Sequence, residues 1–144
     1  MTAIRDDVFD GLDAALAAIA GLGEYDVMPA GDPVKFPALH LIDNGQGPEP
    51  NTEAHVNRYA LAFSIEGYVV SDAGGRAAHK DMNALYAKAV AAIMAFADTS
   101  PMIEDVEEGT LRVVTAKLAE VRTIGFSLDF TLIYATRRGD PENL

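Results

Sequence analysis

Three histidines, a run of carboxylates and a glycine pair are the residues of this chain whose types and spacing come nearest to chemistry. His40 lies in an apolar segment, His55 in a polar one and His79 on a segment with helical periodicity. No two are spaced i, i+4 and there is no HExxH, so a zinc site has no ligand cluster to use. The chain has no cysteine, which removes thiolate metal sites and disulfides together. His40 reads as a core or interface residue, and His55 and His79 as structural. Ser64, Ser71, Ser100 and Ser127 stand outside any GxSxG pattern, so none is marked as an activated nucleophile. Gly74-Gly75 ahead of a helix has the form of an anion nest. It lacks the GxxxxGK[ST] pattern, and Asp72 beside it would repel a phosphate. Glu104, Asp105, Glu107 and Glu108 do not follow the spacing of a calcium loop and read as a solvated acidic stretch. Asp43-Asn44-Gly45-Gln46-Gly47 reads as a turn. An enzyme or small-molecule-binding protein would need a dispersed site, with His40, Tyr68 and Asp129 as its members. The residues therefore predict no catalytic, cofactor or metal site, and a protein that works through its surfaces rather than as an enzyme.

Composition narrows the partners. At 144 residues the chain suits one domain, 1–144, with 49% apolar residues to fill a core. Eleven Lys and Arg against 22 Asp and Glu give a net charge of −11, and such a chain is repelled by nucleic-acid phosphates. DNA passing nearby without specific binding is compatible with that charge; DNA binding is not. The apolar stretch 14–22 is too short for a membrane span. The first residues carry Asp6, Asp7 and Asp10 where a secretory signal would be basic. The expected compartment is the cytoplasm.

Those surfaces need elements to carry them. Ile4, Val8, Leu12, Leu16 and Ile19 recur at helical spacing, with Thr2 as the cap and Gly21 and Gly23 as the stop. Residues 24–36, broken by Pro29, Gly31 and Pro33, read as loop. A short buried strand spans 37–43, and a long polar loop containing Pro48 and Pro50 follows to Asn57. A long strand over 58–70 places Tyr59, Leu61, Phe63, Ile65 and Val69 on one face. A helix over about 73–97, capped by Ser71 or Asp72, has the stripe Ala78, Met82, Leu85, Ala89, Ile93 and Phe96. The acidic stretch 104–109 is expected to be a connection. A hairpin with arms 111–122 and 124–136 closes the chain, with Ile124, Phe126, Leu128, Phe130, Leu132 and Tyr134 inward, and the tail 137–144 is expected to be extended. The fold class is α+β: two helices packed on one face of a four-stranded, mostly antiparallel sheet, in the order α-β-β-α-β-β.

The layout resembles the tail terminator proteins of long-tailed bacteriophages, the group typified by the minor tail protein U of phage lambda. The resemblance covers residues 3–141 and rests on features in order. These are the opening Ile4-Arg5-Asp6-Asp7-Val8, the segment Phe36-Pro37-Ala38-Leu39, and the strand from Arg58-Tyr59-Ala60-Leu61 to Glu66-Gly67-Tyr68. The long second helix and the closing Tyr134-Ala135-Thr136 with Asp140-Pro141 complete the set. The resemblance implies a structural virion protein, assembled in the host cytoplasm and carried on the virion tail. It implies a six-membered ring of identical subunits capping the tail tube, with the tube protein and the head–tail connector as partners. An adjacent head–tail joining protein of related fold is the neighbouring reading.

From the residues, the expected ring or partner interface is Asn44, Gln46, Glu49, Asn51, Glu53, His55 and Asn57 in the long loop, with Arg137, Arg138 and Asp140 in the tail. Glu104, Asp105, Glu107 and Glu108 are the expected acidic lining of a lumen that lets DNA slide.

Overall fold

The computed structural model describes residues 2–118 and 121–144. The elements are α1 (Ile4–Ala17), β1 (Glu24–Val27), β2 (Ala38–Glu49), β3 (Val56–Ser71), α2 (Gly75–Thr99), β4 (Ile103–Leu118) and β5 (Val121–Arg137). The strands form one sheet in the order β1-β2-β3-β5-β4, antiparallel except that β1 runs parallel to β2.

The sheet therefore has five strands where four were expected. The extra strand is β1, read from sequence as loop. Four residues, two of them acidic, are too few to display a period of two, and Pro29 follows at once. Its ends are fixed by backbone bonds from Gly23 N to the Pro37 carbonyl (2.8 Å) and from Met28 N to the Leu41 carbonyl (2.9 Å).

Alternation decides which face of the sheet is covered. Leu61, Phe63, Ile65 and Val69 of β3 and Ile124, Phe126, Leu128, Phe130, Leu132 and Tyr134 of β5 are buried. They form one cluster with Leu39 and Leu41 of β2, with Ile4, Val8, Leu12 and Leu16 of α1, and with Ala78, Met82, Leu85, Ala89 and Ile93 of α2. Phe63 and Phe130 are direct cross-strand partners and stack with centroids 5.0 Å apart. Gly67 faces Phe126 across the same ladder, and Gly11 lies under Phe96. Both glycines leave room for an aromatic ring.

Other expectations are corrected. The loop after Asp43 is mostly strand: β2 continues to Glu49 after a bulge between Asp43 and Gln46. Gly45, at φ 89°, supplies the bulge, and Pro48 is tolerated because this part of β2 lies beyond the reach of β1, at the sheet edge. The acidic stretch 104–109 is also strand, the first half of β4. Ile103 and Val106 pack against the core while its carboxylates stay exposed along an edge, where charge guards against stray pairing. Register shifts at both ends of that half hide its alternation. In the predicted first hairpin arm, residues 119–120 lie outside the described residues.

The tail is hooked, not extended. Arg137 N bonds the Asn143 carbonyl (2.8 Å), Asp140 N the Arg137 carbonyl (3.0 Å), and Ile4 N the Pro141 carbonyl (2.9 Å). That last bond satisfies an orphan donor at the start of α1, which has no side-chain cap. Thr2, the expected cap, instead donates to Asp7 Oδ1 at 2.8 Å. α2 likewise begins after Gly74, φ 101°, without a side-chain cap, and the Ser71 hydroxyl accepts from Ala73 N at 3.2 Å. Among the described residues no helix is long and apolar enough to cross a membrane.

Candidate assembly surfaces

The β3–β5 register gathers most of the expected interface at one end of the sheet. Val56 pairs with Arg137, and Arg138 N bonds the His55 carbonyl at 2.8 Å, so the 50–55 loop and the hooked tail meet. Glu49, Asn51, Glu53, His55, Asn57 and Arg138 line a shallow polar recess of about 530 Å³ there. His55 sits at φ 64°, and its carbonyl accepts that bond.

Arg58 ties this end together. Its guanidinium donates to Glu104 (2.9 Å), Glu53 (2.8 Å) and the Asn51 side-chain oxygen, and Asn51 also donates to the Val56 carbonyl. One side chain thus joins β3, the 50–55 loop and the start of β4. Because these ion pairs are surface pairs, they order the loop more than they stabilise the fold. Arg58→Ala should speed amide hydrogen exchange at Glu53, Ala54 and His55 by about tenfold and leave the melting temperature nearly unchanged. Hydrogen exchange read by mass spectrometry beside a thermal melt checks both halves.

Two expected interface residues are spent inside the molecule. Gln46 accepts from the Tyr134 hydroxyl (2.6 Å) and from Arg5 Nε (3.0 Å), and Asn44 donates to the Ser64 hydroxyl (2.6 Å). The Asn44 contact opens a polar row across the less buried sheet face. Ser64 donates to Asp129 Oδ1 at 2.7 Å, and Arg112 donates to Asp129 Oδ2 at 2.8 Å. The row crosses β2, β3, β5 and β4. Its bonds from Ser64 and then Arg112 hold the Asp129 carboxyl below the usual carboxylate range.

Asp43 is the second carboxylate held low, first by Arg5 (2.7 Å) and then by the Gly45 amide (2.8 Å). It fastens α1 to the β2 bulge. A carboxylate depressed on folding contributes stability that is present above its unfolded value, near about 4, and lost as pH falls through the lower folded value. Asp43→Asn should therefore cost no more than about 1 kcal/mol at pH 7. The gap from the parent should close as pH drops below about 4, which urea melts at several pH values would show.

Of the dispersed residues, His40 and Tyr68 meet while Asp129 is bonded elsewhere, to Ser64 and Arg112. His40 is buried with Nε2 3.5 Å from Glu24 Oε2, and its ring meets Tyr68 edge-on at 5.5 Å. Tyr68 donates to Glu66, and burial followed by that bond pushes its hydroxyl pKa up, away from use as a base near neutrality. Asp129 is committed to Ser64 and Arg112. A slot of about 170 Å³ beside Tyr68 is lined by Asp32, Pro33, Phe36, Val114, Thr123 and Gly125, and neither His40 nor Asp129 reaches it. His79 lies on the exposed side of α2 against Arg76, 2.7 Å away. Among the described residues, no three His, Asp or Glu side chains are grouped to hold a metal.

The outer strand is expected from the sequence over its second half alone, as the first hairpin arm, and its first half is not. β4 is 16 residues long and terminates the sheet, so one side of its ladder is unpaired. Glu104, Asp105, Glu107 and Glu108 are exposed on its first half, and Leu111, Val113 and Val114 on its second. The broken alternation Leu-Arg-Val-Val was the available signal. At the opposite side lie β1 and the uncovered end of β2.

No family model matches the chain, and no curated protein does. Among solved structures it is similar to a chain of the "Virion of native gene transfer agent (GTA) particle", at 19% identity, with a TM-score of 0.40, covering 91% of this chain and 95% of that one. A likeness of that degree extends to neither family nor function.

Proposed function

We propose that the chain is a structural virion protein that closes into a six-membered ring on the end of a phage tail tube. The ring ends tube polymerisation and presents a docking face to the head connector. The observation that carries the reading is an open sheet with two unlike sides, the long bare strand β4 and the short β1 beside the free end of β2. Unlike sides suit a head-to-tail contact, and such contacts close into a ring when the rotation per subunit allows. Pairing within a ring also removes the aggregation hazard of a bare edge. The order of segments that resembles the tail terminators supplies the tube and connector as partners and six as the ring order.

Within this reading the recess end, with Glu49, Asn51, Glu53, His55, Asn57, Arg137, Arg138 and Asp140, meets the tube or the connector. The acidic residues Glu104, Asp105, Glu107 and Glu108 face or border the DNA path, where like charge lets a duplex slide. Electron microscopy of negatively stained protein, alone and with tube protein, tests the proposal. Doughnuts of six subunits at tube ends are the expected result, and a monomer that never decorates a tube would overturn it.

A further inference from the structure

One apolar row crosses the whole sheet at a single level. Val27 of β1 pairs with Leu41, Leu41 with Ile65, Ile65 with Leu128, and Leu128 with Leu111 of β4. Direct partners project from the same face of a sheet, so the five side chains stand in line. The three inner ones are buried, whereas the two ends stand open, Val27 at 37% and Leu111 at 39%. The adjacent row, on the opposite face, is Asp26, His40, Glu66, Ser127 and Arg112. It begins in a carboxylate on β1 and ends in a guanidinium on β4, both exposed. The row after that returns to the first face and ends in Tyr25 and Val113.

The backbone agrees with the side chains. Met28 N bonds the Leu41 carbonyl, so Leu41 turns its peptide groups toward β1. Val27, one residue before Met28, turns its own away from β2. Carried through the three antiparallel ladders, the same alternation turns the N–H and C=O of Leu111 away from β5. Both ends of the row thus present a donor and an acceptor outward. In the single chain, Val27 N donates to the Asp26 carboxylate beside it at 2.8 Å.

We infer that β4 of one copy pairs antiparallel with β1 of the next, with Leu111 opposite Val27, Arg112 opposite Asp26 and Val113 opposite Tyr25. The charge complementarity picks the occupant, since the row that ends in Arg112 begins in Asp26 on the other side of the same sheet. At the seam Leu111 covers Val27, and the apolar row runs on from copy to copy. Asp26 exchanges Val27 N for the Arg112 guanidinium, which frees that N–H for the Leu111 carbonyl. Because the row leaves the sheet at the level where it enters, successive copies do not climb along the strands, as closure into a ring about an axis parallel to them requires. β1 is only four residues long, so the pairing takes 111–114 and leaves Glu104, Asp105, Glu107 and Glu108 outside the seam. The inference deepens the ring reading and rests on it for the number of copies joined.

The test is disulfide trapping in the full chain, which has no cysteine of its own. Val27 and Leu111 of one molecule lie four strand spacings apart, about 19 Å, too far to be bridged within a chain. Across the seam they form a hydrogen-bonded pair with Cα atoms about 5.5 Å apart, within reach of a disulfide. Val27→Cys and Leu111→Cys are made singly and together, and circular dichroism in reductant verifies folding. Under mild oxidation, with and without tube protein, an equal mixture of the two single variants should form dimers at least about tenfold faster than either alone, because only unlike edges meet. The double variant should give a ladder of covalent species that ends at six. A mixture no faster than the single variants, or no cross-link in either arm, overturns the contact; rings that still cap tubes in those samples would leave the ring reading standing. A ladder that runs past six, or stops short of it, supports the contact and overturns the six-membered ring.

Discussion

Phe130→Ala is expected to cost about 3–5 kcal/mol, enough to consume much of the stability of a domain this size. Phe130 is 2% exposed and stacks nearly parallel to Phe63, at 7° between planes, in the centre of the β3–β5 ladder. Truncation removes the ring from the middle of the single core, where strands on both sides prevent collapse into the space. The effect exceeds simple loss of area because the facing ring loses its partner. A double-mutant cycle with Phe63→Ala should return a coupling of about 0.5–1.5 kcal/mol beyond burial. Urea denaturation of the four proteins measures it, and additive losses would show that the stack contributes only area.

The second large effect is opposite in kind. Gly67→Ala adds a methyl group whose carbon would stand 2.2 Å from Cε1 of Phe126. In an open strand the change would stabilise by roughly 0.5–1 kcal/mol through the stiffer unfolded chain. Here Phe126 is 2% exposed and meets Tyr86 edge-on at 6.1 Å, so its ring has nowhere to go. Overpacking costs about 1–3 kcal/mol and decides the sign. The single variant should melt lower, and Phe126→Leu in the same chain should recover part of the loss. Gly11 makes an informative contrast. A methyl group there would meet the Phe96 ring at 2.1 Å, but Phe96 is only partly buried and can swing toward solvent. Gly11→Ala should therefore cost less than Gly67→Ala.

The contrast between these sites reflects what the sequence could and could not convey. The inward set of β5 and the stripes of both helices were legible because each repeats its period over several turns or pairs against one continuous core. β1 was not, since four residues carry no period. The far half of β2 was hidden by the Gly45 bulge and by prolines that usually signal loop. The acidic half of β4 was hidden because its outward charges outnumber Ile103 and Val106 and a register shift falls at each end. For the surfaces, the polar residues of the 44–57 segment and of the tail stood out in the sequence as two separate stretches. Only the Val56–Arg137 register shows that loop and tail residues meet. Asn44 and Gln46 looked equally available in sequence. They are occupied because the bulge brings Asn44 to Ser64 and Gln46 to Tyr134 and Arg5.

Copies of this chain that close on a tube end, as proposed, would stop its growth. The most direct test adds the purified chain to polymerising tail tube protein and measures the distribution of tube lengths by electron microscopy. The expected result is shorter tubes with rings at their ends, in numbers that rise with the amount of chain added. Tubes that grow to the same lengths with bare ends, whatever amount is present, would contradict it.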